Sequence, residues 1–267
     1  LNFNRIKIEI NNRTGIVCFD NPESLNIIEK DTFGEVEKAL DFLTNAENIK
    51  IILIKANCGM SKSGKRIFSA GVNLKQYDEK FKLFDENKNE FKELLKKQRN
   101  LLQKVKEIEK PVIFAVDGLV CGGLFELSLA CDMILASQSA SFQLNEVNIG
   151  LIPGYGGIAG LLQIVGKNKA FEIIATAKEL SAEEACSLNI VSKVFENEIF
   201  EEKTMEFCEK MSEKSSKALY LIKNTIKKLI ENSISEEIEM ENFLHALQAN
   251  DSREGIKAFL DKRNPVF

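Results

Sequence analysis

Histidine is almost missing: the 267-residue chain has one, His245, and it has no tryptophan. A zinc site built on several imidazoles is therefore excluded, as is any histidine-rich proton relay. A Ser-His-Asp triad would have to use His245. That residue lies in a helical stretch, Glu241-Asn242-Phe243-Leu244-His245-Ala246-Leu247, with no nucleophile motif near it. It reads as structural or exposed, so acid–base chemistry falls to carboxylates, Lys, Tyr or Cys. The six cysteines (Cys18, Cys58, Cys121, Cys131, Cys186 and Cys208) form no Cys-x-x-Cys pair. They read as free thiols of a reducing compartment.

Other absences narrow the function classes. No apolar run reaches the roughly 20 residues of a membrane span. No secretory signal or Arg-rich transit peptide is visible. The expected location is cytoplasmic. The chain starts at Leu1, so the mitochondrial matrix is expected instead if a targeting segment has been removed. A net charge of −4, with lysines interleaved among glutamates as in Phe91-Lys92-Glu93-Leu94-Leu95-Lys96-Lys97, lacks the clustered basic face of a nucleic-acid binder. Neither Gly-x-Gly-x-x-Gly nor a P-loop is present, so no dinucleotide or triphosphate site is indicated.

What is present is an α/β pattern. Ile6–Ile10 and Thr14–Phe19 flank a turn at Asn11-Asn12 and predict a hairpin. Phe33, Val36, Leu40 and Leu43 recur at helical spacing over about 29–46. Apolar runs at 49–54, 111–116 and 133–136 read as buried strands. A charged helix covers roughly 86–108, a short strand 190–195, and helices follow from 198 onward. Strands separated by helices imply a largely parallel sheet. The natural division is 1–197, an α/β catalytic core, and 198–267, a helical C-terminal region.

Two turns follow apolar strands. Val116 leads through Gly122-Gly123 into Leu124-Phe125-Glu126, where backbone N–H groups at a helix start can face a ligand. Ala70-Gly71 follows Ile67-Phe68-Ser69. Glu146 stands shortly before Pro153-Gly154-Tyr155-Gly156-Gly157. Alone, each is also explained as a tight turn or a surface glutamate.

Taken together, four ordered motifs resemble the crotonase, or enoyl-CoA hydratase/isomerase, superfamily. These are Phe68-Ser69-Ala70-Gly71-Val72-Asn73-Leu74, the segment Gly118 to Asp132, the stretch Phe142 to Gly157, and the ending Glu254 to Pro265. The resemblance spans essentially the whole chain. It implies a crotonase-like fold of repeated ββα units with a helical C-terminal oligomerisation region. It also implies a homotrimer, or a hexamer built as a dimer of trimers.

The implied activity is reversible syn addition of water to a 2-enoyl-CoA, giving a 3-hydroxyacyl-CoA. Glu126 and Glu146 match the family's catalytic pair, Glu126 activating water and Glu146 delivering a proton at Cα. Ala70 and Gly123 match the oxyanion-hole N–H donors. Contacts to coenzyme A and the acyl chain fall on Phe68, Gly71, Val72, Asn73, Phe125, Tyr155, Phe259 and Lys262, with Lys62, Lys65 and Arg66 facing phosphates. Coenzyme A is part of the substrate, so neither a separate cofactor nor a metal is implied.

Departures from the pattern sit around the same motifs: Asn73 for Asp, Leu124-Phe125 for smaller residues, Asn145 for Pro, and Ile158-Ala159-Gly160 for Thr-Gln-Arg. The alternatives are a Δ3,Δ2-enoyl-CoA isomerase or other enolate-forming member, and a non-catalytic acyl-CoA-binding protein of the same fold.

Overall fold

The structure is a computed structural model that describes residues 2–76 and 83–231, together with 250, 254, 261–263 and 266. The hairpin forms as the alternation predicts: β1 (Ile6–Asn11) pairs antiparallel with β2 (Thr14–Phe19). Helix α1 (Thr32–Asn45) follows, burying Phe33, Val36, Leu40 and Leu43 on one face. Then come β3 (Ile51–Ala56), β4 (Gly59–Met60) and β5 (Arg66–Ser69). The charged helix is α2 (Lys88–Glu107), capped by the Asn87 side chain, which accepts the Glu90 N–H.

Two units of the same plan come next. Strands β6 (Val112–Val116) and β7 (Leu119–Cys121) lead into α3 (Gly123–Ser128). Strands β8 (Met133–Ser137) and β9 (Ser141–Gln143) lead through a 3₁₀ turn, Glu146–Ile149, into α4 (Gly157–Ala175). Then follow β10 (Leu180–Ser181), α5 (Ala182–Ser187), β11 (Lys193–Phe195), α6 (Phe200–Ser212) and α7 (Ser216–Glu231).

The strands form two sheets where the apolar pattern suggested one. A six-stranded sheet runs β1-β2-β3-β6-β8-β11, parallel except for its first pair. A five-stranded sheet runs β10-β9-β7-β5-β4, parallel through its middle and antiparallel at both edges. Successive units place one strand in each sheet and then a helix, which is the ββα repeat of the crotonase fold.

Both faces of the larger sheet are covered, which is why its central strands are apolar along most of their length. Val17, Ile52, Ile54, Phe114 and Val116 face the main core, which α1 and the second sheet help to fill. Ile16, Cys18, Leu53, Ile113 and Leu135 face a smaller core closed by Phe200 and Cys208 of α6. All six cysteines are free thiols. No helix among the described residues is long and apolar enough to cross a membrane.

One consequence of this topology matters for chemistry. Strands β5 and β7 are parallel neighbours, with Ser69 beside Val120. The turns that follow them, Ala70-Gly71 and Gly122-Gly123, therefore emerge side by side. Strand β9 flanks β7, with Gln143 beside Cys121, and Glu146 follows three residues later at the same end of the strands.

Candidate active site

Gly122 enters α3 at φ +54, a left-handed conformation that suits glycine, and Gly123 opens the helix. The Gly123 N–H has no acceptor among the described residues, as the first N–H of a helix normally lacks one within the helix. Tyr155 covers the other side of this turn. A Cβ on Gly123 would come within 2.9 Å of its ring, which is buried and stacked edge-on against Phe33 at 5.3 Å.

Glu126 lies one turn into α3 and is only 2% exposed. Its Oε2 accepts three backbone N–H groups, from Tyr155 and Gly156 at 2.8 Å and Gly157 at 2.7 Å. These donors form the N-terminus of α4, whose dipole favours negative charge. Burial raises the pKa of the carboxyl, and the backbone donors pull it back. A Cβ on Gly157 would sit 2.7 Å from Glu126 Cγ, so the clamp closes only over glycine.

Glu146 is held differently. It opens the 3₁₀ turn after β9 and is half-buried. Its Oε1 lies beside Gly122, 3.1 Å from where a Cβ would stand, and its Oε2 is buried with no hydrogen-bond partner among the described residues. Burial pushes its carboxyl up to about 7, and the charge of Glu126 adds to that rise. The two carboxylates and the Gly122-Gly123 turn therefore share one electrostatic environment.

At the neighbouring turn, the Ala70 N–H donates to the Leu25 carbonyl at 3.0 Å. The N–H that the family pattern reserves for an oxyanion is thus already engaged within the chain. Gly71 follows at φ +86 with its N–H on Ser69 Oγ at 3.2 Å. Val72 bridges to Ile28, and the Asn73 N–H donates to the Ile28 carbonyl.

Several residues expected to contact substrate lie elsewhere. The Phe68 ring is fully buried against Phe19 and Phe114, with centroids 6.3 and 5.2 Å away. Phe125 is also fully buried and packs on Phe142 at 5.4 Å. Helical geometry explains this, because adjacent residues point about 100° apart and Phe125 faces the core when Glu126 faces the turn. Lys65 pairs with Glu179, and Arg66 with Asp117 at 2.7 Å, while Lys62 is exposed. Lys262 is exposed in the C-terminal segment. Phe259 and His245 lie outside the described residues. Among the described residues no group of three or more His, Cys, Asp or Glu is arranged to hold a metal ion.

The donors that hold Glu126 come from a segment to which the sequence motifs assign no such role. The glycine run at 153–157 was visible in the sequence, and paired glycines before an apolar helix signal unused N–H groups.

A family model described as enoyl-CoA hydratase/isomerase matches residues 9–267. The chain belongs to this family. It is 31% identical over 96% of its length to a probable mitochondrial enoyl-CoA hydratase of Dictyostelium discoideum, covering 87% of that protein. It is 30% identical to a probable enoyl-CoA hydratase of Bacillus subtilis, over 99% of this chain and 98% of the relative. The crystal structure of an enoyl-CoA hydratase from Bacillus anthracis superposes with a TM-score of 0.86 at 26% identity, covering 99% of both chains. In this hydratase/isomerase-family chain the two glutamates and the two turns stand together at the C-terminal ends of the parallel strands β5, β7 and β9.

Proposed function

We propose that the protein catalyses the reversible syn hydration of a 2-enoyl-CoA thioester to a 3-hydroxyacyl-CoA. One observation carries the reading: two carboxylates flank the α3 turn, one clamped by three backbone N–H donors and the other with a buried, unpartnered oxygen. Three N–H donors favour the ionised form of Glu126. A pKa of about 7 keeps a large share of Glu146 protonated at neutral pH. A base and an acid beside one reacting centre are what addition of water requires.

In this scheme Glu126 takes a proton from water as the water oxygen bonds to C3. The C2–C3 π electrons move onto the thioester oxygen, which becomes an enolate. Glu146 gives its proton to Cα, and the proton on Glu126 is returned by exchange. The Gly123 N–H donates to the enolate oxygen. The Ala70 N–H is a second donor, in competition with the Leu25 carbonyl. A charged acceptor makes a bond roughly twice as strong as a neutral one. The enolate therefore wins this N–H best as charge develops, which is when stabilisation lowers the barrier. Gly71, Val72, Asn73 and Tyr155 border the same turns and are assigned to substrate contact. Phe259 and Lys262 keep their assignment to coenzyme A. The relatives named as hydratases support the choice of reaction.

The test is an assay of crotonyl-CoA and longer enoyl-CoA thioesters with wild type, Glu126→Gln and Glu146→Gln. Full activity in both variants would overturn the two-carboxylate scheme. Binding of CoA thioesters without turnover would favour a non-catalytic role.

A second reading, Δ3,Δ2-enoyl-CoA isomerisation, has one observation in its favour: Glu146 Oε2 is unpartnered while Glu126 is tied down. A single carboxylate shuttling one proton would then suffice. Isomerisation would survive Glu126→Gln and be abolished by Glu146→Gln.

Assembly as a homotrimer or a dimer of trimers is part of the same proposal. Ile222, Ile226 and Ile230 give α7 an exposed apolar stripe at four-residue spacing. Light scattering tests it, and a monomer at working concentration would refute it.

A further inference from the structure

We infer that the Tyr155 ring is the end-stop of the acyl site, which makes the substrate a short-chain 2-enoyl-CoA; the inference rests on the hydratase reading above. In that reading C3 of the acyl group receives the water that Glu126 activates. The next carbon, C4, is one bond further and must pass beside the same carboxylate. Glu126 Oε2 is fixed to the N–H groups of Tyr155, Gly156 and Gly157. Whatever the acyl chain carries beyond C3 is therefore delivered to the start of α4. From Gly154 to Gly157 the only side chain is that of Tyr155.

That ring is held from several sides. The Tyr155 N–H donates to Glu126 Oε2 at 2.8 Å, so the ring and the base hang on one peptide segment. Phe33 of α1 meets the ring edge-on, with centroids 5.3 Å apart and planes at 74°. Across from it, the ring reaches to within 2.9 Å of where a Cβ on Gly123 would stand, and Ile28 Cδ1 reaches to within 2.8 Å of the same point. The missing side chain at Gly123 is what lets the ring close on the turn that carries the oxyanion donor. Next along the segment, a Cβ on Gly156 would lie 3.4 Å from Leu102 Cδ2 of α2.

Ile28, Phe33, Leu102 and Tyr155 are all buried and belong to the main core. A close-packed interior has few voids larger than a water molecule, so a run of methylenes enters here only by displacing these groups. The ring resists displacement, because its neighbours are an aromatic side chain on one side and the backbone of α3 on the other. Past the carboxylates the site is therefore closed by the protein's own core. The base and the length limit share one origin: the segment whose N–H groups orient Glu126 also carries the side chain that stops the acyl tail.

The test measures kcat/KM for crotonyl-CoA, 2-hexenoyl-CoA and 2-decenoyl-CoA in wild type, Tyr155→Ala, Tyr155→Leu and Tyr155→Phe. Calorimetry adds the affinity of each protein for butyryl-CoA and decanoyl-CoA. A pocket that excludes even one methylene discriminates by about 10–200-fold, so wild type should use the decenoyl thioester at least about 10²-fold less well than crotonyl-CoA. Tyr155→Ala should bring the two within about tenfold by raising the long-chain value. Tyr155→Leu should move the ratio the same way by less, and Tyr155→Phe, which keeps the ring, should keep the wild-type ratio. All three substitutions leave the backbone donors to Glu126 in place. Equal use of crotonyl-CoA and decenoyl-CoA by wild type would overturn the inference, as would a wild-type ratio in Tyr155→Ala or a lost ratio in Tyr155→Phe. If Tyr155→Ala does not fold, Tyr155→Leu decides on the same ratio. Failure of wild type to hydrate any of the three would strike the hydratase reading itself. The butyryl-to-decanoyl affinity ratio, wild type against Tyr155→Leu, would then still decide whether the ring is the stop.

Discussion

Glu126 and Glu146 are the same side chain held in opposite ways. Glu126 is almost fully buried, and one of its oxygens takes three backbone N–H groups at the start of α4. Glu146 rests on a short 3₁₀ turn with a buried oxygen that has no partner among the described residues. Burial raises both; three backbone N–H groups from a distant segment pull Glu126 back, whereas Glu146 has its own backbone N–H to do so. The contrast teaches that a carboxylate's duty is set by the backbone groups that reach it, and these come from distant segments. In the proposed hydration Glu126 is a structural member as well as the base, whereas Glu146, with one oxygen unpartnered, is the group that gives up a proton.

The comparison is sharpened most by removing each carboxylate outright. Hydration should fall by roughly 10² to 10⁴ in both Glu126→Ala and Glu146→Ala, the range of general acid–base contributions. Their stabilities should diverge. Glu126→Ala leaves the Tyr155, Gly156 and Gly157 N–H groups without their acceptor and should cost about 2–4 kcal/mol in urea unfolding. Glu146→Ala removes a group with an unsatisfied oxygen and should cost under about 1 kcal/mol. Equal losses of stability would break the distinction drawn above.

A milder probe leaves both carboxylates in place and disturbs only the clamp. In Gly157→Ala the new Cβ would press on Glu126 Cγ at 2.7 Å and on Oε2 at 3.1 Å. Overpacking of this kind costs about 1–3 kcal/mol. The displaced carboxylate should also lose roughly tenfold in kcat, a fraction of the full acid–base contribution. A stable and fully active Gly157→Ala protein would mean that the three N–H donors are not what orients Glu126.

Much of this site was legible from local patterns, and the rest was not for identifiable reasons. The strands around Ile52, Phe114 and Leu135 show as apolar runs because both faces of their sheet are covered. Glu126 and the Gly122-Gly123 turn stand together in sequence, so their proximity needs no fold to be seen. The donors to Glu126 lie 29 to 31 residues away, and only the β8-β9 excursion returns them to α3. Phe68 and Phe125 look like pocket residues because they adjoin the motifs. Their rings turn into the core instead, since neighbours on a strand or helix face different ways. The split into two sheets was hidden because apolar content does not record which strands pair.

The pH dependence of hydration tests the protonation states without any mutation. If Glu146 must carry a proton, kcat for hydration should fall as pH rises through about 7, tending to tenfold per unit above it. Replacing Glu146 with Gln should remove this descending limb from whatever activity remains. A descending limb that persists in Glu146→Gln would assign the acid to another group.

The smallest effect is thermodynamic and isolates Glu146 from catalysis altogether. Its pKa is about 7 in the folded chain and near 4.5 when unfolded, so the folded state binds the proton more tightly. The stability this contributes is fully present below about pH 4.5 and is lost as pH rises through about 7. Above that, the folded chain holds a charge in a partly buried place that opposes it. Glu146→Gln carries no such charge. The variant should match wild type at pH 4 and exceed it at pH 8 by about 1 kcal/mol, a figure discounted because the side chain is partly reached by solvent. Urea unfolding at the two pH values measures this difference directly. A Glu146→Gln protein no more stable than wild type at pH 8 would mean that burial does not raise this carboxyl.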